Sequence, residues 1–125
     1  MSISLAENRV KSCRRELQRH RERQASEDAK AARLEREAAR CEEQAGHSSS
    51  ASIIRSKLQS AQSKRADANR AREAGAKASK AVADTQKKLH DAEASLAKAI
   101  ATEQRRARDK ERRERERVER ARQAE

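Results

Sequence analysis

The sequence predicts an all-α fold in which two long helices form an antiparallel coiled-coil hairpin and a charged, Arg/Glu-rich helix extends the second one. Three observations predict it. The 125 residues include no Pro and only two Gly, so helix breakers are absent over long stretches. Ala, Arg, Glu, Lys and Gln, which favour helices, dominate the composition. The larger aliphatic residues recur with the seven-residue period that is typical of coiled coils.

Apolar side chains are too few for a globular core. The chain has no aromatic residue, and its larger aliphatic residues are six Leu, four Ile, three Val and one Met. Their complete burial would contribute roughly 30 kcal/mol, whereas ordering the backbone costs about 1–2 kcal/mol per residue. Disorder is the alternative for a chain with 42% charged residues. The helix-forming composition and the periodic aliphatic residues favour long helices that share a narrow apolar seam.

The first predicted helix covers residues 1–45. Ser4 and Glu7 form a capping-box pattern, which predicts that the helix starts at Leu5. From Ile3, alternating steps of three and four residues trace an unbroken heptad repeat, which indicates a left-handed supercoil. The positions of this repeat are Ile3, Ala6, Val10, Cys13, Leu17, His20, Gln24, Glu27, Ala31, Leu34, Ala38, Cys41 and Ala45.

The predicted turn spans residues 46–50. It contains Gly46, His47, Ser48 and Ser49. Gly46 suits a left-handed C-cap, and one of the three consecutive serines suits the N-cap of the next helix. A break this short typically joins antiparallel neighbours. A continuous helix through Gly46 in a parallel dimer is the less favoured alternative.

The second predicted helix covers residues 51–104, and residues 105–125 form a charged extension or spacer. Its heptad line reads Ile54, Ala61, Ala68, Gly75, Val82, Leu89 and Leu96. The flanking line reads Leu58, Ala71, Ala78, Ala92, Ala99 and Ile100. In the extension, opposite charges four residues apart, such as Glu111 and Arg115, add about 0.2–0.5 kcal/mol per pair. The extension is therefore expected to stay helical without a partner.

The position of the turn predicts which residues face each other. A chain that folds back at residues 46–49 places residue i opposite a residue near 95 − i. The expected neighbours are Leu34 with Ala61, Leu17 with Ala78, and Val10 with Val82 and Leu89.

Polar residues and both cysteines fall on the predicted seam. Cys13 and Cys41 lie four heptads apart and are expected to be small buried residues; symmetric bridging between chains is the alternative. His20, Gln24 and Glu27 either fix the register or mark a loosely packed stretch. The cysteines and histidines lack the close spacing of zinc ligands, so no metal site and no cofactor are expected.

Catalytic and membrane functions find no support in the sequence. No catalytic constellation is visible, so the chain as given is not expected to be an enzyme. No segment is apolar enough to span a bilayer and no signal peptide appears, which predicts a cytoplasmic protein without a membrane partner.

The net charge of +11 makes a basic, helical nucleic-acid-binding protein the alternative function. An Arg-rich run such as 105–122 can lie along phosphates. Acidic residues interrupt that run throughout, however, and the chain has no aromatic residue to stack on bases. Binding of protein partners is therefore the favoured function.

One family shows similar features. The stretch from Ser50 to Leu58, the heptads that continue through Leu89 and Lys98, and the following Arg/Glu run resemble the N-terminal coiled-coil region of certain bacterial Toll/interleukin receptor (TIR) domain proteins. The resemblance covers most of the chain. It implies an oligomerisation module that precedes an NAD-cleaving domain acting in antiphage defence or virulence. This sequence has no TIR motif and no counterpart of that family's catalytic glutamate, so no site residue carries over.

The expected function is a coiled-coil oligomerisation or scaffolding module that clusters or positions an effector domain. Its expected partners are further copies of the chain and an attached or separate effector domain; the sequence is expected either to continue after Glu125 or to be a stand-alone coiled coil. The residues expected to form the core and oligomerisation seam are Val10, Leu17, Leu34, Ile54, Leu58, Val82, Leu89, Leu96 and Ile100.

Overall fold

A computed structural model describes residues 2–124 and shows two α-helices packed against each other as a hairpin. Helix α1 runs Ile3–Gly46 and helix α2 runs Ala51–Ala124. The part of the chain that the structure describes contains no strand. The predicted all-α hairpin is confirmed, and α2 continues without a break from the second predicted helix through the charged extension.

Contacts between residues divide the chain into two compact units. The turn unit, Arg15–Thr85, contains the connection between the helices. The end unit combines the N-terminal segment up to Arg14 with the segment from Gln86 onward. In each unit, a segment of α1 packs against a segment of α2.

Helix α1 begins two residues before the predicted start at Leu5. The Leu5 amide donates a hydrogen bond of 3.2 Å to the Ser2 Oγ, so Ser2 is the N-cap. The capping box predicted for Ser4 and Glu7 is wrong, because Ser2 is the N-cap and the helix begins two residues earlier. These two residues bring Ile3 into the helix at the first position of the heptad repeat.

The connection between the helices contains His47–Ser50. The Ile53 amide donates to the Ser50 Oγ at 3.5 Å, which makes Ser50 the N-cap among the three candidate serines. The left-handed C-cap predicted at Gly46 is wrong, because no described glycine has a positive φ. The His47 amide donates to the Glu43 carbonyl at 3.2 Å, so the helical hydrogen-bond pattern continues past Gly46.

The heptad seam of α1 is confirmed by burial. All thirteen predicted positions from Ile3 to Ala45 are buried or half-buried, and no other residue of α1 is buried. His20, Gln24 and Glu27 are half-buried, so α2 covers this polar stretch less closely than the Ala and Leu positions that follow it.

The seam of α2 consists mainly of small residues. Its buried residues are Ala61, Ala68, Ala71, Gly75, Ala78, Thr85 and Ala92. The predicted seam positions Ile54, Val82, Leu89 and Leu96 are half-buried. The larger side chains therefore keep part of their surface in solvent, while the small residues make the closest approach to α1.

Two predicted seam residues of α2 lie outside the buried seam. Leu58 is 48% exposed and Ile100 is 36% exposed. The buried seam line passes instead through residues spaced by seven from Ala71, and Leu58 and Ile100 each follow a position of that line. They therefore lie at the edge of the helix contact, not inside it.

The register of the turn unit follows from Glu27 and Gly75. A Cβ atom on Gly75 would lie 3.7 Å from the Cβ of Glu27, so the residue numbers of two facing residues add up to about 102. The Lys64 Nζ lies 3.0 Å from a Glu37 carboxylate oxygen, which agrees with this sum. The predicted sum of 95 is wrong by one heptad.

The corrected register changes the predicted neighbours within the turn unit. By this register, residue numbers place Leu34 opposite Ala68 instead of Ala61, and Leu17 opposite Thr85 instead of Ala78. The predicted fold-back assumed that α2 pairs with α1 from its first residue. In the observed register, Gly46 at the end of α1 faces Ser56, so the first turn of α2 runs beyond the region that α1 covers.

The end unit has its own small core. Val10, Cys13 and Ala92 form a buried cluster, and Leu89 and Leu96 pack against it. Leu89 packs against the cluster that contains Val10, as expected, whereas Val82, the other expected neighbour of Val10, does not belong to this cluster.

Candidate functional site: the seam and its edges

Residues 2–124 contain no group of three or more His, Cys, Asp or Glu side chains that could share a metal ion. Neither helix, over the same residues, has a stretch long and apolar enough to cross a membrane. Exposed aliphatic side chains and ion pairs lie along the edges of the helix contact.

The heptad positions sort the side chains of α2 by size. We label the line through Ile54 and Leu89 as a positions, the line through Ala71 and Ala92 as d positions, and each residue after a d position as an e position. All larger aliphatic side chains of α2 except Ile53 and Val118 occupy a or e positions. These residues are Ile54, Leu58, Val82, Leu89, Leu96 and Ile100. The d positions hold mainly Ala, which leaves the larger aliphatic surface on one edge of the seam.

In the turn unit, this surface forms a patch on the first two turns of α2. Leu58 is 48% exposed and Ile54 is half-buried. Ile54 and Leu58 are four residues apart and therefore neighbours on one face of the helix. We call Ile54 and Leu58 the turn patch.

The end unit carries a second patch of the same kind. Leu89 and Leu96 pack against the small core from the a line and remain half-buried. Ile100 lies one turn after Leu96 at an e position and is more than one-third exposed. We call Leu89, Leu96 and Ile100 the end patch.

Ion pairs flank the seam on the e side of the turn unit. A Glu35 carboxylate oxygen lies 2.8 Å from the Arg72 guanidinium and another lies 3.7 Å from the Arg65 guanidinium. Arg65 also pairs with Glu42. Arg65 and Arg72 occupy e positions of α2. Glu35 and Glu42 occupy the equivalent positions of α1, each directly after a seam residue. Charged e positions that face each other across a helix pair favour one register and orientation.

The other edge of the turn unit carries a second ion-pair cluster. The Lys64 ammonium donates a 3.0 Å hydrogen bond to the Glu37 carboxylate, and the Arg33 guanidinium donates one of 3.2 Å. The hydrogen bond from Lys64, with the charges of Lys64 and Arg33, holds the pKa of the Glu37 carboxyl below its usual value. Glu37 therefore stays ionised and links α1 to α2.

The two cysteines are free thiols. Cys13 is buried in the core of the end unit, and Cys41 is half-buried on the seam of the turn unit. The expectation that both are seam residues matches their burial.

The sequence analysis placed most of these residues correctly and missed one. Val10, Leu17 and Leu34 are buried as expected, and the a-line residues Ile54 and Val82 are half-buried. Thr85 is only 2% exposed and was not expected in the seam. The heptad spacing of the sequence indicates its burial, because Thr85 lies seven residues after Ala78 and seven before Ala92 on the d line.

Comparison with models of known protein families, with curated proteins and with solved structures finds no match for this chain. The resemblance to the coiled-coil region of TIR-domain proteins stays a prediction.

Proposed function

We propose that the hairpin is an oligomerisation and scaffolding module. Copies of the chain associate through the turn patch and the end patch, and the assembly clusters or positions an effector domain that is attached to the chain or bound by it.

The observation that carries this proposal is the half-exposed aliphatic surface on the a and e positions. The hairpin seam buries mostly Ala, and no large side chain in residues 2–124 is completely buried. Two helices with so small an apolar contact are marginal by themselves. Covering an exposed Leu or Ile side chain contributes up to about 1.5–3 kcal/mol. Association through the two patches would supply burial that the single hairpin lacks.

The resemblance described above suggests the nature of the effector. In the TIR-domain proteins, a similar coiled-coil region precedes a domain that cleaves NAD. By that likeness, the hairpin would serve a bacterial defence or virulence protein in the cytoplasm. Its own contribution would be assembly, and the chemistry would belong to the effector domain.

Single substitutions at the patches test the proposal. Leu58→Glu and Ile100→Glu each put a charge on an exposed patch residue, and Glu preserves the helix. We expect both variants to sediment with a lower mass than the unmodified chain at the same concentration. The matched control is Leu5→Glu, because Leu5 is 59% exposed and lies on the side of α1 away from the seam. An unchanged mass in both patch variants, with helicity retained, would sink the proposal.

A further inference from the structure

The charged extension of α2 sorts its side chains onto different faces of the helix. Residues 105–125 contain ten basic and six acidic residues, which alternate irregularly along the sequence. Five of the basic residues are spaced by steps of four, three, four and three. They are Arg106, Lys110, Arg113, Arg117 and Arg120. Residues at this spacing lie on one face of a helix, and we call these five the basic stripe.

The basic stripe continues the seam of α2. Arg106 lies seven residues after Ala99 on the d line, and Lys110 lies fourteen after Leu96 on the a line. Helix α1 begins at Ile3, and a groove in the end unit brings Ser2 and Ile3 beside Ala99 and Arg106. The stripe therefore begins where the pairing with α1 stops.

Among residues 2–124 no stripe cation forms an ion pair, and the carboxylates of Asp109 and Glu114 lie beside the stripe. The ion pairs of the extension join Asp109 to Arg112 at 3.7 Å and Glu111 to Arg115 at 2.6 Å. Both of these arginines lie outside the stripe. All five stripe side chains are exposed. Acidic residues flank the stripe but do not interrupt it.

The chemistry of the stripe favours phosphate over a protein surface. Four of its five cations are Arg, whose planar fork matches a phosphate with two parallel hydrogen bonds. Val118 is the one larger aliphatic side chain of the extension and does not belong to the stripe. An acidic helix docked there would desolvate charges without apolar burial to offset the cost. A phosphate backbone binds by releasing counterions and needs no apolar contact.

We propose that the basic stripe binds the phosphate backbone of nucleic acid without regard to base sequence. The stripe runs for about 21 Å along the helix axis, and its acidic flanks confine contact to a narrow line of phosphates. The chain has no aromatic residue for stacking on bases. Binding should therefore depend on salt and on the stripe.

Fluorescence anisotropy with a labelled random-sequence DNA duplex, over a series of KCl concentrations, measures this binding on the full chain. Each phosphate neutralised contributes about −0.9 to the slope of log affinity against log salt, so five contacts set a limit of about −4.5. We expect a slope between about −3 and −4.5.

The extension itself offers a matched control. The test variant replaces the five stripe cations with Gln. The control replaces the other five cations with Gln and has the same net charge. Those control positions are Arg105, Arg108, Arg112, Arg115 and Arg122. We expect the stripe variant to lose at least about tenfold in affinity at low salt, because it loses direct phosphate contacts. We expect the control to lose less than about threefold, because it loses only the attraction of its net charge. Circular dichroism checks that both stay helical.

Three results would overturn the proposal. Equal losses in the two variants would mean that net charge alone attracts the duplex. Absence of binding by the unmodified chain at the lowest salt would exclude the interaction. Displacement of the duplex by polyglutamate at equal charge concentration would show a surface for acidic polypeptides in general.

Discussion

Glu27 lies directly opposite Gly75, where a Cβ atom would be 3.7 Å from the Glu27 Cβ. That Cβ atom would also lie 2.7 Å from a carboxylate oxygen of Asp28, so the absence of a side chain on Gly75 leaves room for the Asp28 side chain beside Glu27. This pair sets the register of the turn unit, in which facing positions sum to about 102.

The register predicts that a disulfide can be engineered between the two helices. The Cβ atoms of a disulfide lie about 3.5–4.5 Å apart, so Glu27→Cys with Gly75→Cys should form an intrachain bond on mild oxidation. The background carries Cys13→Ala and Cys41→Ala to remove the native thiols. Proteolysis and mass spectrometry without reductant would detect the joined peptides.

The control for this experiment pairs Glu27→Cys with Ala68→Cys, which face each other in the register predicted from the turn position. Bonding in that pair, and none at position 75, would contradict the register described here. Dilution to a concentration at which the chain is monomeric separates bonds within one chain from bonds between chains.

The error in the predicted register has a simple physical cause. Sliding one helix past the other by seven residues, which is one heptad, returns every a and d position to the seam. The heptad repeat therefore determines which residues are buried but not which pairs face each other. The pairs depend on contacts that a periodicity does not specify, such as Glu35 with Arg72 and the fit of Glu27 against Gly75.

Gly46 should tolerate a side chain. Its φ is not positive, and a Cβ atom at this position would meet nothing within 4 Å. We expect Gly46→Ala to raise the free energy of unfolding by about 0.4–1 kcal/mol, because Ala restricts the unfolded chain. Urea unfolding followed by circular dichroism measures this change. A loss of about 1 kcal/mol would instead indicate the left-handed C-cap that the sequence suggested.

Glu37 should make stability depend on acid pH. The hydrogen bond from Lys64 is the main cause that lowers the pKa of the folded-state carboxyl. A lowered folded-state pKa stabilises the fold at pH above the unfolded-state pKa, which is about 4.3. This contribution disappears as the pH falls through the folded-state value.

The variant Glu37→Gln should accordingly melt at a lower temperature than the unmodified chain at about pH 7. The two melting temperatures should converge as the pH falls below the folded-state pKa of Glu37. Glu73→Gln removes an exposed carboxylate of α2 and serves as the control. A difference that persists undiminished in acid would show that Glu37 acts through packing and not through its charge.

Leu89 should be essential to both the end unit and the assembly. It packs against the cluster of Val10, Cys13 and Ala92, so Leu89→Asp places a charge against apolar side chains. We expect a loss of at least about 2 kcal/mol in stability and dissociation of the assembly. Val118→Asp, at a position that is 52% exposed, should change neither quantity. Retained mass and helicity in Leu89→Asp would refute the role given to this residue.

The interaction surfaces were less predictable than the seam. The run 105–122 alternates Arg and Glu in sequence, which argued against phosphate binding. On the helix, five of the ten basic side chains share one face without an acidic residue, and this stripe appears only when residues are followed along the extended seam. The exposure of Leu58 was missed for a related reason: its aliphatic character suggested a seam position, whereas the d line passes through the preceding residue, Lys57.

The oligomeric mass of the unmodified chain tests the proposed function most directly. Size-exclusion chromatography with light scattering should be run at several concentrations in low and high salt, with refractive-index detection because the chain has no Trp or Tyr. The proposal predicts a mass that is a multiple of 14.1 kDa and insensitive to salt, because apolar side chains hold the copies together. A mass of 14.1 kDa at every concentration would contradict it.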